Sequence, residues 1–147
     1  MRITKRKAMN DYFHKVHYYE TDRMGITHHS NYVRWVEEGR MAFLESVGYG
    51  LKRLEADGVT SPVVSVECQY KNTTTFDDEI RIHMVAEQYT GVKLSLRHTM
   101  TNAATGEIVC TGSSSYCFVD QNGTPIAIKK HYPEFDARLK QAVAEGT

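Results

Sequence analysis

The residues that could do chemistry are concentrated in one stretch, Tyr19-Glu20-Thr21-Asp22-Arg23-Met24-Gly25-Ile26-Thr27-His28-His29-Ser30-Asn31-Tyr32. It places the Asp22 carboxylate at the end of a strand-like segment, then a glycine turn, then the start of a helix. A helix N-terminus offers unpaired backbone N–H groups and the positive end of the dipole. A carbonyl oxygen set there is polarised, and an oxyanion is stabilised. The loop from Asp22 to Ser30 is short enough to fold both ends onto one reacting atom. A carboxylate beside an oxyanion site is a minimal kit for acyl transfer. Spacing alone fits a plain turn as well, because Asp-x-x-Gly is an everyday loop and Asp before a helix often only caps it.

The elements that must position this loop can be read from hydrophobic period. Val16 and Tyr18 alternate within residues 15–20, which predicts a short strand. From residue 30 to 47 the period becomes helical, with Tyr32, Trp35, Val36, Gly39, Phe43, Leu44 and Val47 on one face. Ser30 or Asn31 can cap that helix and Gly48 can end it. Leu51, Leu54 and Glu55 suggest a further helical turn before Gly58. Beyond it the period is two. Val64, Val66, Cys68 and Tyr70 share one face of 63–73, and Ile80, Ile82, Met84 and Ala86 one face of 79–89. Val92, Leu94, Leu96 and Met100 do so in 92–101, as do Ile108, Cys110, Tyr116 and Phe118 in 107–120. Gly91 and the 102–106 stretch are brief links, so these strands are expected to be antiparallel neighbours. Residues 133–144, with Phe135, Leu139 and Val143, predict a small terminal helix. The whole is an α+β domain with the long helix laid across one sheet. A single sheet leaves an outer face and edges to cover, which predicts at least a homodimer.

The 147 residues suit one domain, 1–147, with residues 1–12 expected to be poorly ordered. Lys+Arg and Asp+Glu balance at 18 each, which lacks the basic footprint of a nucleic-acid binder. No apolar run approaches the roughly 20 residues that span a bilayer. The three cysteines are odd in number and without metal-ligand spacing, so they read as reduced, buried thiols of a cytoplasmic protein.

The wider string resembles the 4-hydroxybenzoyl-CoA thioesterase family, including the Tol-Pal-associated acyl-CoA thioesterases. Thr21-Asp22-Arg23-Met24-Gly25 matches the family's strand end. His29, Asn31-Tyr32, Trp35, Glu37 and Arg40 match its helix, and Tyr70-Lys71 with Phe76-Asp77-Asp78 its later strand and turn. The resemblance covers residues 16–128. It departs at His28, where relatives often carry an aromatic residue, and at Asn72-Thr73, where they commonly have a proline turn. These departures bear on the acyl pocket and CoA groove. The resemblance implies a hotdog fold, a long central helix wrapped by a five-stranded antiparallel sheet. It also implies active sites between the subunits of a homodimer, which often pairs into a homotetramer. It implies Asp22 as catalytic nucleophile or base, and the His29 backbone N–H as the group that meets the thioester carbonyl. The His29 side chain is a further catalytic candidate. The implied reaction is hydrolysis of an acyl-CoA to a free acid and CoA, with the CoA thioester as substrate and no metal or other cofactor.

Other groups have plainer readings. Glu38 reads as a solvated or interface-facing charge, and Glu37 is open between that and a second acid. His28-His29 is a poor metal pair because adjacent histidines diverge. Ser113, Ser114 and Ser115 form no nucleophile elbow. Lys71, Arg81, Arg97 and Lys129 are too scattered to assign to CoA phosphates. An acyl-carrier-protein thioesterase would need a concentrated cationic docking patch, which is not visible. A non-catalytic acyl-binding hotdog domain would have no need of Asp22 and its glycine.

Overall fold

The computed structural model describes residues 11–146. Strand β1 (Tyr12–Lys15) leads through a tight turn (Tyr18–Glu20) and the Asp22 loop into helix α1 (Ser30–Ser46). A short helix α2 (Leu51–Ala56) follows. Then come β2 (Val63–Val66), β3 (Gln69–Tyr70), β4 (Glu79–Tyr89), β5 (Lys93–Asn102) and β6 (Ile108–Cys117). Helices α3 (Ile128–His131) and α4 (Pro133–Gly146) close the chain. The antiparallel sheet runs β1-β4-β5-β6-β2, and β3 also pairs with β6. The fifth position is thus one edge strand broken into two pieces. This is the hotdog arrangement, α+β, with α1 against the sheet.

The helical stripe is what buries α1. Tyr32, Trp35, Val36, Phe43 and Leu44 all lie in the core. They meet Ile80, Ile82 and Met84 of β4, Leu94, Leu96 and Met100 of β5, and Val109, Cys110 and Tyr116 of β6. Gly39 sets the approach of helix to sheet, since a Cβ there would sit 2.8 Å from Ile82 Cγ2. Arg40 is buried beside it, with its guanidinium 4.2 Å from the Tyr116 ring centre and an N–H donated to Ser61 O at 3.0 Å. Phe135 of α4 stacks on Tyr49 at 4.5 Å and closes one end of the core.

Several expectations need correcting. The first strand is β1, not 15–20. Val16 still bonds the backbone of Asp77 and Asp78, but the Glu20 carboxylate takes the His17 N–H at 2.8 Å and curls the chain. The N-cap of α1 is His29, not Ser30 or Asn31. Asn31 instead donates its side-chain amide to Glu20 O and His28 O. The 63–73 segment is not half-buried. Val63, Val64, Val66 and Tyr70 are exposed, because an edge strand with a register shift has no layer over it. Ile108 is exposed and Val109 takes its core place, since the β5–β6 register shifts between Met100 and Thr101. The expectation of poor order for residues 1–12 falls on 1–10 outside the described residues. Tyr12 is already paired with Ile82. Among the described residues no helix is long and apolar enough to cross a membrane.

Candidate active site

The Asp22 loop is a clamped hairpin. Thr21 bridges Thr27, the Asp22 N–H reaches Ile26 O at 2.9 Å, and the Gly25 N–H returns to Asp22 O at 2.9 Å. Gly25 has φ +79°, which a side chain would strain. One oxygen of the Asp22 carboxylate accepts the Met24 N–H at 2.8 Å. The loop is pinned from the far side by Thr74 and Thr75. The buried Thr74 hydroxyl lies 2.6 Å from the Thr27 hydroxyl and 2.9 Å from the Tyr32 phenol. Thr75 donates to Gly25 O at 2.7 Å. Asp22 is therefore held in place by local turn chemistry and by a second loop.

At the start of α1 the orphan donors divide. The Ser30 N–H goes to His28 Nδ1 at 3.2 Å and the Asn31 N–H to His28 O at 3.0 Å. Among the described residues the His29 N–H meets no acceptor. The His29 ring stacks on His28 at 4.3 Å and lies 6.2 Å from Tyr70, whose phenol donates to His29 O at 3.3 Å. His29 thus stands between the Asp22 loop and the exposed β3 edge.

A cleft of about 780 Å³ opens on the other side of the loop. Asp22, His28, Ser30, Asn31 and Arg34 line it, and His29 does not. Its floor is a polar network that the sequence reading did not find. Buried His14 contacts Glu20 at 2.8 Å through Nε2 and Glu38 at 3.2 Å through Nδ1. Glu20 also accepts the Trp35 indole N–H at 2.9 Å and the His17 N–H. Burial pushes the Glu20 carboxyl up, but these donors outweigh it and hold it below the usual range. Burial, then the hydrogen bond and charge of Glu38, push the Tyr12 phenol up. Glu38 is therefore no free surface charge but the link between Tyr12 and His14 in a polar chain that runs on through Glu20 to Trp35. The signal was a period of two through Tyr12, His14 and Val16, which the misplaced first strand hid. Glu37 is engaged by Arg40 in a two-point pair at 2.9 and 2.7 Å, which is structural.

Two groups bring potential metal donors within 4.8 Å of one another, His14–His17–Glu20 and Cys68–His98–Cys110. In the first, the Glu20 carboxylate is already saturated by His14, His17 and Trp35 donors. Of the scattered cations left unassigned in the sequence, Arg81 pairs with Asp11 and Arg97 with Glu87; Arg34, which the sequence reading did not single out, stands exposed at the cleft.

Residues 16–143 match the Thioesterase-like superfamily. The chain is 34% identical over 129 residues to the "Putative acyl-CoA thioesterase YneP" of Bacillus subtilis, covering 87% of this chain and 93% of that one. The crystal structure of a hypothetical protein from Aquifex aeolicus superposes with a TM-score of 0.78 at 30% identity, over 85% of this chain and 97% of that chain. The DHNA-CoA thioesterase of Staphylococcus aureus shares the fold with a TM-score of 0.87 at 24% identity, over 93% and 94% of the two chains. The clamped aspartate loop, the helix N-terminus beside it and the match across nearly the whole domain place this chain in the thioesterase-like superfamily of hotdog thioester hydrolases.

Proposed function

We propose that this enzyme hydrolyses acyl-CoA thioesters to a carboxylic acid and CoA, with the carbonyl oxygen on the His29 N–H and Asp22 beside the carbonyl carbon. The observation that carries this reading is the His29 N–H itself. It is an N-cap donor with no protein acceptor among the described residues, next to a loop that fixes a carboxylate. An N–H left open at a helix start is where a developing oxyanion gains most. Asp22 can act in two ways. It attacks the carbonyl to form a mixed anhydride, releasing the CoA thiolate, or it takes a proton from the attacking water. Single-turnover hydrolysis in water enriched in heavy oxygen tests the covalent course, because label in Asp22 arises only when water opens the anhydride at the aspartyl carbonyl, whereas opening at the acyl carbonyl and direct water attack both label the product acid.

The exposed β2–β3 edge supports a homodimer, and pairing of dimers would give a homotetramer. A second copy on this edge would wall the His29 and Tyr70 side of the loop, which one chain leaves open. Arg34 is the cation best placed to receive a CoA phosphate. Such chemistry fits the cytoplasm, where acyl-CoA is made and used. The test is thiol release from a panel of acyl-CoAs and, in parallel, an acyl-carrier protein. Turnover of the carrier-bound acyl group in preference to every acyl-CoA would reassign the substrate; no thiol release from any would overturn the reading.

A further inference from the structure

The first turn of α1 carries a side chain that ties two backbone carbonyls together. The Asn31 side-chain amide donates one hydrogen to Glu20 O at 2.9 Å and the other to His28 O at 3.2 Å. Both acceptors are carbonyl oxygens, so only the NH2 end of the amide can face them. Each oxygen also takes a backbone donor. Glu20 O accepts the His28 N–H at 2.8 Å, and His28 O accepts the Asn31 N–H at 3.0 Å. Both lone pairs of each carbonyl are thereby filled.

His28 O matters because of what shares its peptide plane. The other end of that peptide is the His29 N–H, and the peptide is trans. In a planar trans peptide the C=O and the N–H point in opposite directions, so fixing one aims the other. The bond from the Asn31 N–H alone would leave the plane free to tilt about it. The second bond, from the side chain, removes that freedom. The next peptide is held separately, with His29 O accepting the Tyr32 N–H and the Tyr70 phenol. Glu20 O is the other anchor. Glu20 stands two residues before Asp22, and Thr21 between them bridges Thr27 across the clamped hairpin. The Glu20 side chain is itself fixed by His14 and Trp35. One amide group thus joins the segment that carries the carboxylate to the peptide that carries the donor.

We propose that Asn31 is a positioning residue of the thioester site, fixing the aim of the His29 N–H and its place relative to the Asp22 carboxylate. It acts through the backbone and takes no part in bond making. This role rests on the oxyanion reading of the His29 N–H. An oxyanion donor works by being in place before the charge develops, so an N–H free to tilt loses part of its effect. Alanine at this position leaves each carbonyl its backbone donor, so the hairpin and α1 should keep their fold. What goes is the second restraint on each peptide plane. The loss belongs to the transition state, where the carbonyl oxygen is most charged, and hardly to substrate binding.

Full-chain Asn31→Ala is expected to lose ~10–100-fold in kcat with KM within about 3-fold of wild type, less than the ~10²–10³-fold of removing an oxyanion donor outright. Asn31→Ser keeps one hydroxyl donor and should lose less; it reads the same quantities where the alanine variant fails to fold. A weakened fold alone does not change how strongly a bound carbonyl is polarised. The second readout is therefore the infrared stretch of the bound thioester, using the acyl-CoA turned over best in the panel, with heavy carbon at its carbonyl. Asp22→Asn holds that substrate long enough to measure. Its carbonyl stretch is expected below that of the same thioester in water, and Asn31→Ala added to Asp22→Asn should undo about half or more of that lowering. A kcat within about 2-fold of wild type, a KM that rises by the full factor, or a stretch that Asn31→Ala leaves lowered would overturn the proposal while the oxyanion reading stands. A stretch in Asp22→Asn equal to that in water would overturn the oxyanion reading itself, and the positioning role with it.

Discussion

Asp22 combines two jobs that one substitution can separate. Its Oδ1 accepts the Met24 N–H, a turn contact that an asparagine oxygen preserves. Asp22→Asn should therefore keep the fold and melting temperature while removing charge and basicity. Thioester hydrolysis is expected to fall by ~10²–10⁴-fold with KM nearly unchanged, the pattern of an interaction made in the transition state. A folded variant with more than about half the wild-type kcat would take Asp22 out of the chemistry. Glu20 gives the opposite case, a carboxylate whose work is structural. Its three donors, His14, Trp35 and the His17 N–H, face two oxygens, and Gln would turn one of these into a donor facing a donor. Glu20→Gln should cost about 1.5–3 kcal/mol at neutral pH, the scale of a hydrogen bond to a charged group. Because the folded carboxyl is held below its unfolded value, its contribution is full above about pH 4.3 and is lost as pH falls through the folded value. Urea unfolding of both proteins across acid pH should show the gap closing below that point. A gap that widened in acid would mean the carboxylate is not the stabilised form.

Among the elements, the contact of α1 with β4 is the tightest constraint on the site, because it fixes where the helix N-terminus lies. Gly39 occupies a helix interior, where alanine would ordinarily be worth about 1 kcal/mol more. Here the added Cβ would meet Ile82 Cγ2 at 2.8 Å, and Ile82 is fully buried with no room to swing away. The helix must then lift from the sheet. Gly39→Ala is expected to destabilise by about 1–3 kcal/mol, as overpacking does, despite the better propensity. Equilibrium unfolding checks the sign, and a stabilised variant would mean that α1 is free to slide. Activity should fall with it, since α1 carries His29 and the Arg40 anchor on Tyr116.

For the whole molecule the open question is what covers the β2–β3 edge. Val64 is 52% exposed and Val63 51%, and with Val66 they make an apolar edge of the kind that soluble proteins seldom leave bare. Val64→Lys with Val66→Lys places two charges on this edge without touching the core. The expected result is a shift from dimer or larger to monomer in light scattering at micromolar concentration, with thioesterase activity lost in parallel. The His29 side of the loop would then lack its second wall. A wild-type chain that is monomeric and fully active at that concentration would rule out a shared site.

Taken alone, the sequence determined the parts governed by local period and local chemistry. The stripe from Tyr32 to Leu44, the alternation of Ile80, Ile82 and Met84, and the Asp22–Gly25 turn each follow from neighbours a few residues apart, and each stands as read. Those residues alone reach an α+β domain with one helix across a sheet; the hotdog fold and the family came from the resemblance that the Asp22-to-Tyr32 string carries. Tertiary structure decided whatever depends on which strands become neighbours. Val64 and Val66 alternate as a buried strand would, yet lie on an edge, since exposure is set by the sheet order and not by the strand's own pattern. Glu38 became a relay partner because β1 brings His14 beneath α1. Cys68, His98 and Cys110 have no meaningful spacing in the chain and meet only because β5, β6 and the link between β2 and β3 lie side by side across the gap at Gly112. Backbone hydrogen bonding between distant segments chose these partners, and no local preference encodes them.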